Sequence, residues 1–452
     1  MRLMADVVIA TEPEKPKQTL HMLRALRSRN YRLFFAGNLV SLVGNWLTTT
    51  ATGWLVFRLT GSSAKLGIIG FCSQFPTFLL SPFAGVLVDR WKLRRAIVGT
   101  QTAAMIQSFL LAALVLSNSA TFVYLLLLSL AQGVINAIDI PARQAFVVQM
   151  LEDRADLPNA IALNSSIVNA ARLLGPTAAG LIIAGMKHNG EGWCYLIDGI
   201  SYIFVIIALL MMTIRAAPPP PLRTPVIEAL KEGFGASFGF PPIRAVLLLL
   251  STVSIAGVPY MVLMPVFAKD ILGGSEKLFG ILSSAAGGGA LCGAIYLAQR
   301  KSVRGMGKVL VAASATFGAT LIVFAHSTHM WLSICLLPIC GFSMIVQMAG
   351  SNTLLQTLAD DDKRGRIMAM FAMCFMGTVP IGSLLSGTLA QNIGPQWTVT
   401  LGGAACILGA AMFYLKLERL RPHIIPIYVK RGIMPAVEGV EEATVASEHV
   451  TG

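Results

Sequence analysis

Arg172 is a charged residue in a segment that is otherwise small and mostly apolar from Ala160 to Ala184, where the chain reads NAARLLGPTAAG. A guanidinium that faces lipid near the centre of a bilayer costs roughly 2.5 to 3.5 kcal/mol on insertion scales. We therefore expect Arg172 to face protein or water. Three roles stay open: a charge that attracts anionic or polar substrate groups, a partner whose bond to a carboxylate depends on protonation, and a tie between helices through their carbonyl oxygens.

Two carboxylates also lie within apolar segments, Asp139 and Asp198. Asp139 lies near the inner end of its segment and Asp198 near the outer end, so we favour Asp139, together with Arg172, for proton coupling. None of the six histidines lies well inside an apolar segment, and no GxxxxGK[ST] phosphate loop or CxxC pair occurs. These residues predict no enzyme activity, no cofactor and no metal site.

The elements that must position these charges are membrane-spanning helices. Of 452 residues, 55% are hydrophobic and 13% charged, and the mean hydropathy is +0.69, which is typical of a helical membrane protein. About 20 helical residues cross a bilayer. Twelve stretches approach that length: Phe34 to Phe57, Leu66 to Val88, Ala96 to Leu116, Thr121 to Pro141, Ala160 to Ala184, Cys194 to Ile214, Ala245 to Phe267, Leu278 to Ala298, Val309 to Ala325, Trp331 to Ser351, Ile367 to Ala390 and Trp397 to Leu417.

The basic residues are distributed unevenly between the two sides of these spans. Of the 35 Lys and Arg residues, 29 fall in the two tails, in every second loop or, for Lys416, at the adjoining end of the twelfth span. By the positive-inside rule this pattern predicts that both termini are cytoplasmic, in a bacterial-type inner membrane. The net charge of +13 is thus an orientation signal, and we expect no nucleic-acid partner.

The chain divides into two halves of six spans. A shift of 207 superposes Gln149 on Gln356 and Gly180 on Gly387, as expected for two parallel repeats with a substrate site between them. We expect an all-α membrane protein with twelve transmembrane helices in two six-helix bundles, acting as a monomer. The boundaries are an N-tail (1–33), a first bundle (34–214), a linker with an interfacial helix (215–244), a second bundle (245–417) and a C-tail (418–452).

The loop after the second span reads GVLVDRWKLRR and resembles the GxLxDRxGRR signature of the major facilitator superfamily. Lys92 and Leu93 depart from that pattern. The resemblance implies a conformational latch formed by Gly85, Asp89, Arg90, Arg94 and Arg143, in which Asp89 accepts hydrogen bonds in one conformation and releases them in the other. Without the family, the same run reads as a basic cytoplasmic loop.

Residues Asp139 to Pro176 and Asp360 to Met368 are similar to the drug:proton antiporter branch of that superfamily, which includes enterobactin exporters and macrolide or tetracycline efflux pumps. Gly175, Pro176 and Gly180 resemble its fifth-span antiporter motif. In the fourth span, Ser129 stands where the branch has an arginine linked to proton coupling. The resemblance implies export of drug-like or siderophore-like molecules in exchange for protons.

A polar stripe on the first span predicts a hydrated cavity between the halves, although hydrogen bonding between helices would also explain it. A methionine-rich wall on the last spans would suit a promiscuous binder, and a dedicated metabolite exporter or a lipid flippase stays an alternative. The expected cavity residues are Asn38, Ser41, Asn45, Thr49, Thr52, Gln74, Asn136, Asn169, Arg172, Gln347, Asn352 and Met373.

Overall fold

A computed structural model describes residues 23–89, 93–186, 188–213, 226–300, 302–361 and 363–435. Every element in these ranges is helical. Ten of the described helices are long and apolar enough to cross a membrane. Two more, α1 and α2 in the numbering given next, have comparable length.

Thirteen helices, in chain order, are named α1 to α13. They are α1 Arg29–Thr60, α2 Ser63–Asp89, α3 Leu93–Leu116, α4 Phe122–Met150, α5 Leu157–Gly185, α6 Gly190–Met211, α7 Val226–Gly239, α8 Pro241–Ile271, α9 Glu276–Gln299, α10 Met306–Ala325, α11 Met330–Leu358, α12 Arg364–Ile393 and α13 Pro395–Lys430. Helix α7 occupies part of the expected linker.

The helices pack as two groups. In the first group α1 packs on α5 and α6, α2 on α4, and α3 on α4 and α6; in the second α9 packs on α11, and α10 on α11 and α13. The groups meet where α5 packs on α9 and α2 on α12. Small residues allow these close approaches, as is usual between membrane helices.

Both described chain ends lie on one side of the helices, which we call the terminal face. Arg24 pairs with Asp153 and Asp156 at the α4–α5 connection, and the Arg431 guanidinium donates to the Ala359 carbonyl after α11. The side formed by the ends of α1 and α3 and the starts of α2 and α4 is the opposite face.

Several helices run farther toward the terminal face than the hydropathy pattern predicts. The fourth span was expected to end at Pro141, yet α4 keeps this proline inside and continues to Met150. The twelfth span was expected to end at Leu417, yet α13 includes Pro422 and Pro426 and ends at Lys430. Hydropathy reports the lipid-facing length, whereas a helix can extend into the polar interface on side-chain contacts.

Helix α8 is interrupted in the middle of the membrane. Two five-residue π turns, Val253–Gly257 and Phe267–Ile271, flank the segment that contains Pro259 and Pro265. Each proline removes a backbone donor, which a helix can absorb only where other protein groups surround it. The buried ring of Tyr260 in this segment packs edge-on against Phe317.

Contacts near the opposite face close the two groups on each other. A Cβ on Gly180 would lie 2.9 Å from the Glu276 carbonyl oxygen, and one on Gly387 would lie 2.6 Å from the Gly67 Cα. Trp54 stacks on Phe279 with ring centroids 5.9 Å apart, and the Ser62 hydroxyl donates to Gln391 Oε1 at 2.9 Å. The opposite face is therefore shut by backbone-to-backbone contact that only glycine permits.

A leucine at Gly180 should hold the two groups apart at this face, because its side chain has no room against α9. Gly185→Leu on the same helix is the control, since a Cβ there meets nothing within 4 Å. With cysteines at positions 62 and 391 in a cysteine-free background, disulfide formation should fall in Gly180→Leu and stay at the parent level in Gly185→Leu. Equal cross-linking in both variants would contradict the glycine contact as the closing element.

Candidate substrate and proton-coupling site

Arg172 lies in the middle of α5, about 22 Å from Leu157 along the helix axis. Its guanidinium carbon is 5.3 Å from the centroid of the Trp46 ring, a cation–π contact. Its Nε is buried and donates to no partner, and no carboxylate within the described ranges forms an ion pair with it. The Arg172 carbonyl also lies against Gly287 of α9, in the other group. Arg172 thus places an unneutralised charge where the two groups meet.

A second unsatisfied donor faces Arg172 from the other group. Tyr260 of α8 is 2% exposed, its hydroxyl has no hydrogen-bond partner, and it lies close enough to Arg172 for electrostatic interaction. Buried polar groups without partners cost free energy. The Arg172 guanidinium and the Tyr260 hydroxyl can both donate, so a ligand rich in carboxylate or carbonyl oxygens would satisfy both.

The polar side chains of α1 that were expected to line a cavity mostly face other helices of the first group. Asn38 donates to Asn164 Oδ1 at 3.2 Å, the Thr52 and Tyr195 hydroxyls are 3.1 Å apart, and Asn45 hydrogen-bonds with Tyr202. Ser41 is buried. Thr49 is exposed and donates only to the Asn45 carbonyl of its own helix. Hydrogen bonding between helices thus accounts for three of these side chains.

Asp139 has a complete set of partners. Arg143 Nε lies 2.6 Å from its Oδ2, and Thr100 Oγ1 and Gln101 Nε2 donate to its Oδ1 at 2.6 and 2.8 Å. Arg143 also donates to Asn38 Oδ1. This network joins α1, α3 and α4 near the terminal face, and it does not include Arg172.

The remaining residues that were expected to line the cavity differ in their burial and in their hydrogen-bond partners. Gln347 is 1% exposed, and neither its amide nitrogen nor its oxygen has a partner. Asn136, Asn169 and Asn352 bond within their own helices. Gln74 is exposed on α2, and Met373 is half-buried on α12.

The expected latch falls mostly outside the described side chains. Gly85 lies in α2 and Asp89 ends it, but their side-chain surroundings and residue Arg90 lie outside the described part. The Arg94 guanidinium donates to the Leu210 carbonyl at the end of α6. Arg143 pairs with Asp139.

The Gly175-Pro176 and Gly180 positions of α5 form contacts with other helices. A Cβ on Gly175 would lie 2.4 Å from the Trp46 Cβ, so this glycine allows α1 to approach α5. The carbonyl of Pro176 and the backbone of Gly180 lie against Gly280 of α9. The motif therefore supports both the ring under Arg172 and the closed opposite face.

An open, apolar groove of about 670 Å³ lies where α5 meets α9 and α11 of the second group. Leu173, which follows Arg172 in sequence, lines this groove, whereas Arg172 does not. Its lining is apolar or small, including Ile281, Gly288 and Phe342. The groove suits the apolar part of an amphipathic molecule.

Sequence reasoning overlooked several residues of this region. Trp46 and Tyr260 are single aromatic residues in apolar spans and give no signal of their own. Glu191, Tyr195 and Tyr202 did give one. Together with Asp198, which was considered but placed behind Asp139, they are spaced by four, three and four residues and so lie on one face of a helix.

The same helical arrangement and the same sequence pattern occur in known proteins. The family model described as "Transmembrane secretion effector", a major facilitator family, matches residues 21–424. The chain belongs to this family.

Its relatives are named as a transporter and as efflux proteins. The chain is 24% identical to the staphyloferrin A transporter of Staphylococcus aureus, over 86% of this chain and 97% of that protein. It is 25% identical to the multidrug efflux pump Tap of Mycolicibacterium fortuitum, over 84% and 93% of the two chains. It is 20% identical to macrolide efflux protein A of Streptococcus pyogenes, over 84% and 94%.

Solved transporter structures share its fold. A bacterial homologue of the human lysosomal transporter Spinster, in an inward-facing and unoccupied conformation, superposes with a TM-score of 0.67 at 15% identity, covering 86% of this chain and 96% of that one. The nucleoside transporter NupG superposes with a TM-score of 0.63 at 14% identity, covering 87% and 99%. The protein is thus a multi-pass efflux transporter of the major facilitator type, not an enzyme.

Removal of Arg172 and removal of Arg143 should have opposite effects on stability. Arg172→Met deletes a half-buried charge that has no carboxylate partner in the described part of the chain, so the detergent-solubilised protein should melt at the parent temperature or above it. Arg143→Met leaves the Asp139 carboxylate without a countercharge, which costs about 3 kcal/mol, so the melting temperature should fall. A marked fall for Arg172→Met would show instead that Arg172 ties helices together.

Proposed function

We propose that this protein exports anionic or oxygen-rich amphipathic molecules, of the siderophore or drug class, in exchange for protons. The unpaired Arg172 beside the unsatisfied Tyr260 hydroxyl is the observation that carries the proposal. Both groups donate hydrogen bonds, both lie near mid-membrane, and they belong to different helix groups. A substrate that bridges them makes contacts that only one relative position of the groups allows, which is the requirement for alternating access.

Transport would follow from rocking of two six-helix bundles, residues 34–214 and 245–417, about this centre. The terminal face is taken as cytoplasmic on the positive-inside rule, with both termini inside a bacterial inner membrane. In that orientation, the glycine contacts of α5 with α9 and of α2 with α12 shut the outward side. Binding from the inside, rocking, and release to the outside complete one cycle by a monomer.

The substrate class follows from the charge and the groove. The Arg172 guanidinium favours a carboxylate over a cation. The apolar groove, which Leu173 lines one residue farther along α5, accommodates hydrocarbon. The staphyloferrin A transporter and the macrolide pump are relatives by sequence. We therefore expect the anionic siderophore to be transported better than a permanently cationic dye.

Uptake into inside-out proteoliposomes tests this proposal. Staphyloferrin A, erythromycin and the cationic dye ethidium serve as probes, each with an imposed pH gradient and with the gradient collapsed. We expect gradient-driven accumulation of staphyloferrin A that Arg172→Ala abolishes and Arg172→Lys partly restores, because lysine keeps the charge but loses the planar stack on Trp46. Accumulation that ignores the gradient would reject antiport, and equal activity of Arg172→Ala would reject Arg172 as the binding charge.

A lipid flippase is a second candidate because the groove along α5, α9 and α11 is apolar and lies between the two groups. A fluorescent phospholipid in the same liposomes distinguishes the two functions. Scrambling or directed movement of the lipid, without staphyloferrin A transport, would favour the flippase.

A further inference from the structure

Five polar groups or pairs follow one another along α1, four of them between α1 and α6, and we call this row the polar ladder. From the opposite face inward, its pairs are Arg58 with Glu191 at 2.9 Å, Thr52 with Tyr195 at 3.1 Å, Thr48 with Asp198 at 2.7 Å, and Asn45 with Tyr202. Asn38 then continues the row to Arg143 and Asp139.

The ladder spans the membrane. From Arg58 to Asn38 it covers 20 residue steps of α1, about 30 Å at 1.5 Å per residue, which is the thickness of the hydrocarbon core. The Arg58 side chain is 42% exposed at one end and that of Arg143 is 20% exposed at the other. Its α6 side is buried, with Tyr195 and Tyr202 exposed by no more than 3%, and its α1 side, Asn45, Thr48 and Thr52, is half-buried.

Asp198 at the centre of the ladder is a buried carboxyl without a cation. It is 1% exposed. Thr48 of α1 and Ser108 of α3 donate to its Oδ2 at 2.7 and 2.9 Å, whereas its Oδ1 has no hydrogen-bond partner. Among the residues described, no lysine, arginine or histidine pairs with it.

Among the described residues, the groups in contact with Asp198 are all uncharged. They are Thr48 and Gly44 from α1, Ser108 from α3, and Ser201 and Tyr202 from α6 itself. The charged pairs lie farther along the ladder, Arg58–Glu191 toward the opposite face and Arg143–Asp139 toward the terminal face. An ionised carboxylate in such surroundings costs several kcal/mol, and two hydroxyl donors offset only part of that cost.

We propose that Asp198 is a proton-binding site and that the polar ladder is the route by which its proton enters and leaves. A proton arriving past Glu191 and Tyr195 converts the carboxylate to the neutral acid, with Oδ1 carrying the hydrogen. The same proton later leaves past Tyr202 toward Arg143, and the carboxylate is restored. One proton enters and one leaves, and no other bond is made or broken.

Asp139 lacks the properties of such a site. Its carboxylate has a guanidinium at 2.6 Å and two further donors, so both of its oxygens have partners. Asp198 accepts hydrogen bonds from two hydroxyls at Oδ2, and its Oδ1 has no hydrogen-bond partner. Of the two carboxylates, Asp198 is the one whose protonation state can change without breaking an ion pair.

Helix α1 connects this site to the closing of the opposite face. Gly44 lets α1 press on Asp198, since a Cβ there would lie 2.5 Å from Asp198 Oδ1. Farther along α1, Gly53 lies against Pro265 and Trp54 stacks on Phe279, both in the second group. A charge that appears at Asp198 must draw its donors or water closer, and Thr48 can move only with α1. This coupling to transport rests on the proposed function, whereas proton binding at Asp198 does not.

Infrared spectroscopy of substrate-free proteoliposomes tests the site directly. Wild-type protein at mildly acidic pH should show the carbonyl stretching band of a protonated, buried carboxylic acid, with the downshift expected on labelling with ¹³C-aspartate. Asp198→Asn should lose that band, and Asp139→Asn should keep it. A band that survives in Asp198→Asn, or no such band in wild type between pH 5 and about 7, would overturn the assignment.

Transport assays then test coupling separately. Asp198→Asn should keep exchange of labelled for unlabelled staphyloferrin A without a gradient and lose gradient-driven accumulation, and Asp198→Glu should regain part of it. Loss of both activities with normal folding would overturn the coupling role. If wild-type transport ignores the gradient, the proposed antiport fails while the infrared result still decides proton binding.

Discussion

The cost of a charge in hydrocarbon is the constraint on which this structure depends. The first helix group contains the charged residues Asp139, Arg172 and Asp198 within its membrane spans, and their surroundings differ. Asp139 is neutralised by Arg143 and held by Thr100 and Gln101. Arg172 is stacked on an aromatic ring, Asp198 has hydroxyl donors, and among the described residues neither has a partner of opposite charge. Selection for stability alone would give all three charges partners of opposite charge, as Asp139 has.

The differences between these three charges follow the geometry of the groups. Asp139 lies within one helix group, and its network can remain intact when the groups move. Arg172 lies at the boundary with α9, so its surroundings change with any such movement. The buried charge without an ion partner at that boundary is where a ligand gains most from binding, because it supplies the missing acceptor.

Much of the fold could be predicted from the sequence, and the reasons are physical. Apolar runs of bilayer length and the uneven spread of 35 basic residues follow directly from solvation. The ends of α4 and α13 could not be predicted this way, since polar contacts beyond the bilayer extend them past Pro141 and Leu417. Family resemblance supplied the exporter class, which the relatives support.

The candidate site was harder to predict, because one sequence does not say which helix a side chain faces. The stripe from Asn38 to Thr52 was correctly recognised as polar, but periodicity cannot distinguish a cavity from a neighbouring helix. Thr48 and Thr52 face Asp198 and Tyr195 of α6. Only the matching spacing of polar residues on α6 could have indicated this pairing, and it becomes informative once α1 and α6 are known to be neighbours.

Helix α1 brings these observations together, because three of its faces serve three different contacts. One side carries the polar ladder to α6, Trp46 lies under Arg172 against α5, and Trp54 meets Phe279 of the second group. Gly37 and Gly44 hold α1 against α6 closely enough that small movements must be shared. A rigid helix in contact with a proton site, a binding charge and the closed face can link them without a chain of intermediate residues. Proton binding and substrate binding each favour one position of α1. The two events therefore assist or oppose each other through the position of this helix, and that is how a proton and a substrate are coupled.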